Sequence, residues 1–319
     1  MENEVTLDAK TIHWEREAIE KLLMADLRER RAARRWRIVR SLLWMVLFGA
    51  LIWLLVADEL PGAGTTARDH TALVNIKGEI ADEGEASAEF ILPAMRDALE
   101  DGNTRALVLL INSPGGSPVQ AGLINDEIRR LRAKHDKPIY AVVEETCASA
   151  AYYIAAGADR IYVDKASLVG SIGVLMNGFG FVDTLDKLGV ERRLLTAGEN
   201  KGFLDPFSPQ SEAHRQHAQT MLNQIHRQFI DVVKKGRGDR LKETPETFSG
   251  LFWTGEQAIA LGLADQVGSL DSVARDVVKA ERLVDYTKKK NLAERFAKRF
   301  GAAVGHGAVQ ALRAMPALR

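Results

Sequence analysis

The stretch RALVLLINSPGGSPVQAGLINDEIRRLRAKHDKPIYAVVEE, residues 105–145, decides how this chain folds. It opens on an uninterrupted apolar run, RALVLLIN, whose length suits a strand buried on both faces. A Pro-Gly-Gly turn follows, and then PVQAGLINDEIRRLRAKH, in which Leu123, Ile124, Ile128 and Leu131 recur at helical spacing. PIYAVVEE returns as a second buried strand. Strand, amphipathic helix and strand in that order make a βαβ unit, whose strands lie parallel.

The same alternation extends to either side. TALVNI reads as a preceding strand, and SAEFILPAMRDALE as a helix that Pro93 would kink. Downstream, RIYVD and SIGVL read as strands, residues 209–236 as a long helix, and TGEQAIALGLADQVGSLD as a further helix and turn. The expected fold class is α/β: a mostly parallel sheet of βαβ repeats covered on both sides.

The chain has 319 residues, 43 basic and 43 acidic side chains and one cysteine, Cys147. Balanced charge gives no bias towards nucleic acid, and a lone cysteine excludes an intrachain disulfide. SLLWMVLFGALIWLLVA, residues 41–57, is uncharged, close to the length that crosses a bilayer, and follows the arginine-rich LRERRAARRWRIVR. These features set the expected organisation: a basic cytoplasmic tail over 1–35, a transmembrane signal anchor over 36–57 in contact with the lipid bilayer, a linker over 58–70, a catalytic domain over 71–283 and a basic helical tail over 284–319. The positive-inside rule places the N-terminus in the cytoplasm and the catalytic domain outside the bacterial inner membrane.

Two glycine- or serine-bearing turns follow consecutive buried strands and so share one edge of a parallel sheet, where ligands bind. INSPGG offers Gly115 and Gly116, whose backbone N–H groups can approach a developing negative charge. EETCASAAYYIAAGA places Ser149 among small residues at a strand-to-helix junction, with the N–H of Ala150 as another donor. Cys147 is a rival nucleophile, read here as a buried structural thiol. Tyr152 and Tyr153 read as core, and Glu144 and Glu145 as strand-end charges.

A serine needs a base. His13, His70, His135, His214, His217, His226 and His306 all stand in unpersuasive settings, the three on the long helix among polar neighbours. Lys201 differs, lying between Gly198 and Gly202 with Phe203, Leu204 and Phe207 close by. A lysine serves as base when burial or nearby positive charge disfavours its ammonium form.

The blocks INSPGG, CASAAYYIA, LVGSIGV and AGENKGFLDPFSP, in this order and spacing, resemble the signal peptide peptidase A family in its short, single-repeat form. Those membrane-anchored serine proteases of peptidase family S49 share a fold with the Clp protease subunit and the crotonases. The resemblance spans about residues 70 to 280. It implies a Ser/Lys dyad of Ser149 as nucleophile and Lys201 as general base, with Ser171 orienting the lysine. It also implies oxyanion donors at Gly115 and Gly116, no cofactor or metal, peptide substrates, and a homo-oligomer whose dyad is shared between protomers. Ala150 departs from the glycine that often follows the family's nucleophile. A crotonase-like enzyme acting on acyl-coenzyme A and a non-catalytic membrane scaffold are the alternative readings of the same fold.

Overall fold

The computed structural model describes residues 34–50 and 68–289. The chain divides into two compact units, residues 1–62 and 63–319. In the first, residues 34–50 form one helix, α1, with Trp36, Leu43, Trp44 and Phe48 exposed. Residues 51–57 of the expected anchor, most of the linker and the tail from residue 290 lie outside the described residues. No helix among the described residues is long and apolar enough to cross a membrane.

The second unit is built on one sheet with strand order β6-β5-β3-β2-β1-β8. Strands β1 (His70–Lys77), β2 (Thr104–Ser113) and β3 (Ile139–Ala148) are adjacent and parallel, joined by helices α2 (Ala88–Glu100) and α3 (Pro118–Lys134). Two strands share the far side of β3. Its N-terminal half pairs with β4 (Arg160–Val163), which pairs in turn with β7 (Gln266–Val267), and its last residues pair with β5 (Leu168–Gly170). Strand β6 (Phe252–Thr254) runs antiparallel to β5, and β8 (Leu283–Asp285) adds to β1.

Period-two alternation splits the buried strands between two cores. Leu107, Leu109 and Ile111 of β2 face a large core with α2, α3, α4 (Ala150–Ala155) and α6 (Glu212–Arg237). Val108 and Leu110 face a thinner one closed by Leu270, Val273 and Val278. Helix α3 starts at an N-cap, Ser117, that accepts from the Gln120 N–H at 3.3 Å, with Pro118 in the first turn.

Several local expectations change. Leu123 is exposed; the buried face of α3 uses Ala121, Ile124, Ile128 and Leu131 together with Asn125 and Glu127. Helix α2 continues through Pro93. SIGVL is not a strand: β5 ends at Gly170, because Ser171 takes φ 52° and turns the chain. His70 is buried at the start of β1 rather than in the linker, and β8 straddles the expected domain end at residue 283, with Tyr286 hydrogen-bonded to Asp101 at 2.7 Å.

Glu127 ties α3 to α2. It accepts from Arg130 at 2.7 Å and from Arg96 at 2.6 Å. Arg130's hydrogen bonds, and then those of Arg96, hold its carboxyl at about 2 against an ordinary 4.5, although burial works the other way. A carboxylate held down in the folded state stabilises it fully above the unfolded value, and that contribution is lost as pH falls through the folded value. Unfolding midpoints in urea should therefore decline between about pH 4.5 and 2. A Glu127→Gln variant should show a shallower decline over that window, and an identical slope in both proteins would exclude this role.

Candidate active site

The ends of β2 and β3 are drawn together by an irregularity in their pairing. Ile111 pairs with Val143 and Ser113 with Cys147, so β3 takes two extra residues where β2 takes none. The extra length carries β3 up to Ser149, the N-cap of α4, at φ 53° and ψ −123°. A side chain with a Cβ rarely adopts positive φ, at a cost of roughly 1–3 kcal/mol, and such strain gathers where structure over-determines it. Here the Ser149 N–H donates to Gly170 O at 2.8 Å, and Ser149 O accepts from the Tyr153 N–H at 3.0 Å. The conformation is that of a nucleophile elbow, lifting the hydroxyl off the strand while the next N–H, that of Ala150, opens the helix without an intrahelical partner.

The Pro-Gly-Gly turn fits against this elbow because it lacks side chains. Gly115 has φ +106°, and a Cβ there would stand 2.7 Å from Ser149 Cβ. Gly116 has φ +144°, and a Cβ there would overlap Ile80 O. Ile80 bridges the turn from both sides of Gly116: its N–H donates to Gly115 O at 2.9 Å, and its carbonyl accepts from the Ser117 N–H at 2.7 Å. Across the trans peptide the Gly116 N–H points opposite to the Gly115 carbonyl that Ile80 holds, and Gly116 itself lines the cavity. The Gly115 N–H is occupied by Ser113 Oγ at 3.2 Å. Gly116 and Ala150 line the cavity, and the missing side chain of Gly115 lets the turn approach Ser149.

That cavity measures about 590 Å³. Gly116, Ser149, Ala150 and Ser171 form its polar margin, while Tyr153, Val174, Leu222, Ile225 and Phe229 supply apolar walls. A second cavity of about 670 Å³ continues along α6 and shares Met176 and Leu222 with the first. Cys147, the rival nucleophile, is fully buried, and burial pushes its thiol up, away from the reactive thiolate. Tyr152 is core, donating to Leu263 O at 2.7 Å, whereas Tyr153 reaches the cavity.

Lys201 is not among the residues lining this cavity. It is exposed in a turn whose neighbours, Asn200 and Phe203, contact His214 at the start of α6. His214 lies about 12 Å along the helix from Leu222, the first residue of α6 to line the cavity, at 1.5 Å per residue. Within one chain the structure brings together Ser149, Gly115, Gly116, Ala150 and Ser171, and leaves Lys201 apart. His226 corrects the sequence reading in another way: it is half-buried, with Nε2 3.1 Å from Ile172 O.

The family model for peptidase family S49 matches residues 132–285. The chain is 31% identical over 218 residues to Protease 4 of Haemophilus influenzae, covering 67% of this chain and 35% of that protein. It is 29% identical over 246 residues to the chloroplastic serine protease SPPA of Arabidopsis thaliana, covering 72% and 35%. A Na(+)/H(+) antiporter NhaA of Brucella melitensis matches at 46% over 181 residues, which are 57% of this chain and 25% of that one. The chain therefore spans about a quarter to a third of the length of these relatives.

The contact between Gly115 and Ser149 yields a direct test. Gly115→Ala should slow labelling of Ser149 by a fluorophosphonate about a hundredfold, because the added Cβ would displace Ser149 and the Ala150 N–H behind it, a loss on the scale of one oxyanion donor. Gly122→Ala, where a Cβ meets nothing within 4 Å, is the folding control and should label at the wild-type rate. Equal labelling of all three proteins would show that the elbow tolerates a side chain at position 115.

Proposed function

We propose that this chain, which belongs to peptidase family S49, is a membrane-anchored serine endopeptidase that cuts unfolded apolar peptides, cleaved signal peptides among them. The observation that carries the reading is Ser149, held at φ 53° at the mouth of a partly apolar cavity beside the N–H groups of Gly116 and Ala150. Ser149 Oγ attacks the scissile carbonyl. Lys201 Nζ, arriving from an adjacent protomer with Ser171 orienting it, takes the hydroxyl proton and passes it to the leaving amine. The tetrahedral oxyanion rests on the two N–H groups; once the amine product leaves, Lys201 Nζ takes a proton from a water that attacks the acyl-enzyme and returns it to Ser149 Oγ as the acid departs.

A shared dyad is supported by what the segment bearing Lys201 lacks. Helix α5 (Val182–Lys187) buries no residue, and Leu175, Phe179, Leu188 and Leu195 are exposed, Leu195 at 97%. An apolar surface on that scale requires a partner, and a second copy that covers it also carries Lys201 towards a serine. The uncharged run 41–57 behind an arginine-rich flank supports a single-pass anchor in the bacterial inner membrane, N-terminus inside and peptidase outside. An enzyme acting on an acyl thioester has no use for a serine held in this conformation.

Purified Ser149→Ala and Lys201→Ala proteins should each lose cleavage of an unstructured apolar peptide. Mixed in equal amounts and reassembled, they should recover about a quarter of wild-type turnover, because random pairing across a head-to-tail interface joins an intact serine to an intact lysine at that frequency. Recovery of nothing from a mixture shown to co-assemble would place both dyad members in one chain. Absence of a phosphonate adduct at Ser149 in wild-type oligomer would leave the non-catalytic scaffold.

A further inference from the structure

We infer that His226 is a positioning residue for this site: its imidazole latches the cavity wall that carries Ser171 onto helix α6, and so fixes the serine that faces the nucleophile. The inference rests on the peptidase reading for its kinetic consequence, and on geometry alone for its structural one.

After β5 the chain reverses through a three-residue turn. The Gly173 N–H donates to Ser171 O at 2.9 Å, and the Ser171 N–H donates to Leu251 O at 2.8 Å. Ser171 stands at φ 52°, a second non-glycine residue at positive φ on the same cavity as Ser149. Strain of this kind persists only where neighbours hold it. Ile172, at the centre of the turn, is fully buried in the main core, which fixes its side chain. Its carbonyl is held by His226 Nε2 at 3.1 Å. A carbonyl only accepts, so the proton of that hydrogen bond lies on Nε2. No other side chain on α6 bonds to this turn among the described residues, although Leu222, Ile225 and Phe229 of the same helix form the facing wall. The latch therefore sets the width between the two walls of the cavity and the angle at which Ser171 enters it.

Removing the imidazole leaves a buried carbonyl without its donor and releases the turn from α6. The loss should fall on Ser171 and the adjacent wall, with Ser149 and its glycine contacts left in place.

The test compares wild type with His226→Leu and His226→Gln in the full-length oligomer. Hydrogen–deuterium exchange of residues 171–176 should accelerate at least tenfold in His226→Leu and stay near wild type in His226→Gln, whose amide can donate from a similar position. The kcat for an unstructured apolar peptide, per site titrated by phosphonate, should fall at least tenfold in His226→Leu with a smaller change in KM, and His226→Gln should recover most of it. Exchange at wild-type rates in His226→Leu would overturn the latch whatever the activity. Faster exchange with unchanged kcat per titrated site would overturn the positioning role. If wild type itself shows no Ser149-dependent cleavage, the peptidase reading fails, and the exchange comparison still decides the latch.

Discussion

The structure of this site depends on one close approach: the backbone of Gly115 lies against Ser149 so tightly that a single added carbon would stand 2.7 Å from the serine Cβ. Two chain reversals, at the ends of β2 and β3, occupy the same small volume. Each has to be tight, and each uses backbone conformations closed to most residues, at Gly115 and Gly116 on one side and Ser149 on the other. The strain at Ser149 is set against the burial of α4, in which Ala150, Ala151, Tyr152, Ile154 and Ala155 all leave solvent. Burying side chains such as Ile154 is worth about 1.5–3 kcal/mol each, enough to offset one unfavourable dihedral pair.

The helix behind Ser149 is then fixed from three directions. Asn125 of α3 donates to Tyr153 O at 2.8 Å. Tyr152 donates to Leu263 O. Helix α6 comes so close that a Cβ on Gly236 would overlap Ala156 O. Below it, the buried Arg237 guanidinium makes paired hydrogen bonds of 2.8 Å to Asp265, which also accepts from the Ile161 N–H at 2.7 Å. Burial opposes the charge on Asp265, yet Arg237 holds that carboxyl below the ordinary value. A buried pair with every oxygen engaged gives direction more than stability, and here it fixes the ends of α6 and β4 relative to each other. The serine thus sits on a support with few degrees of freedom, which an elbow at positive φ requires.

What the sequence made legible follows from range. The strands announced themselves because continuous apolar runs such as RALVLLIN need burial on both faces, and the βαβ order follows from turn chemistry between them. Ser149, Gly115 and Gly116 were legible for the same reason, since topology alone brings the ends of adjacent parallel strands together. The helical spacing of Leu123 was misleading: periodicity locates an apolar stripe but not its edges, and the buried stripe of α3 runs through Asn125 and Glu127, whose polar groups are satisfied by Tyr153 O and two arginines. SIGVL has strand composition, yet its pairing partner β6 covers only Leu168–Gly170, and beyond that ladder Ile172 enters the main core while Val174 and Leu175 line the cavity. His226 is hidden in the sequence because its neighbours are polar. Its partner, Ile172 O, is a backbone atom 54 residues away, and backbone carbonyls leave no mark in a sequence.

Lys201 poses the opposite problem, a residue conspicuous in sequence and unplaced in the single chain. An amine acts as a general base near neutral pH only where water is excluded from it. In one chain Lys201 is exposed, on a segment whose apolar side chains, Leu195 and Leu175 at 97% and 82% among them, are exposed too. The two deficits have one physical remedy. A surface that buries those leucines removes water from the turn that bears the lysine, so the free energy that drives association and the desolvation a base demands come from the same contact. On the proposed reading the site divides accordingly: the serine elbow is built into the core, and Lys201 stands on an arm whose apolar side chains are exposed in the single chain.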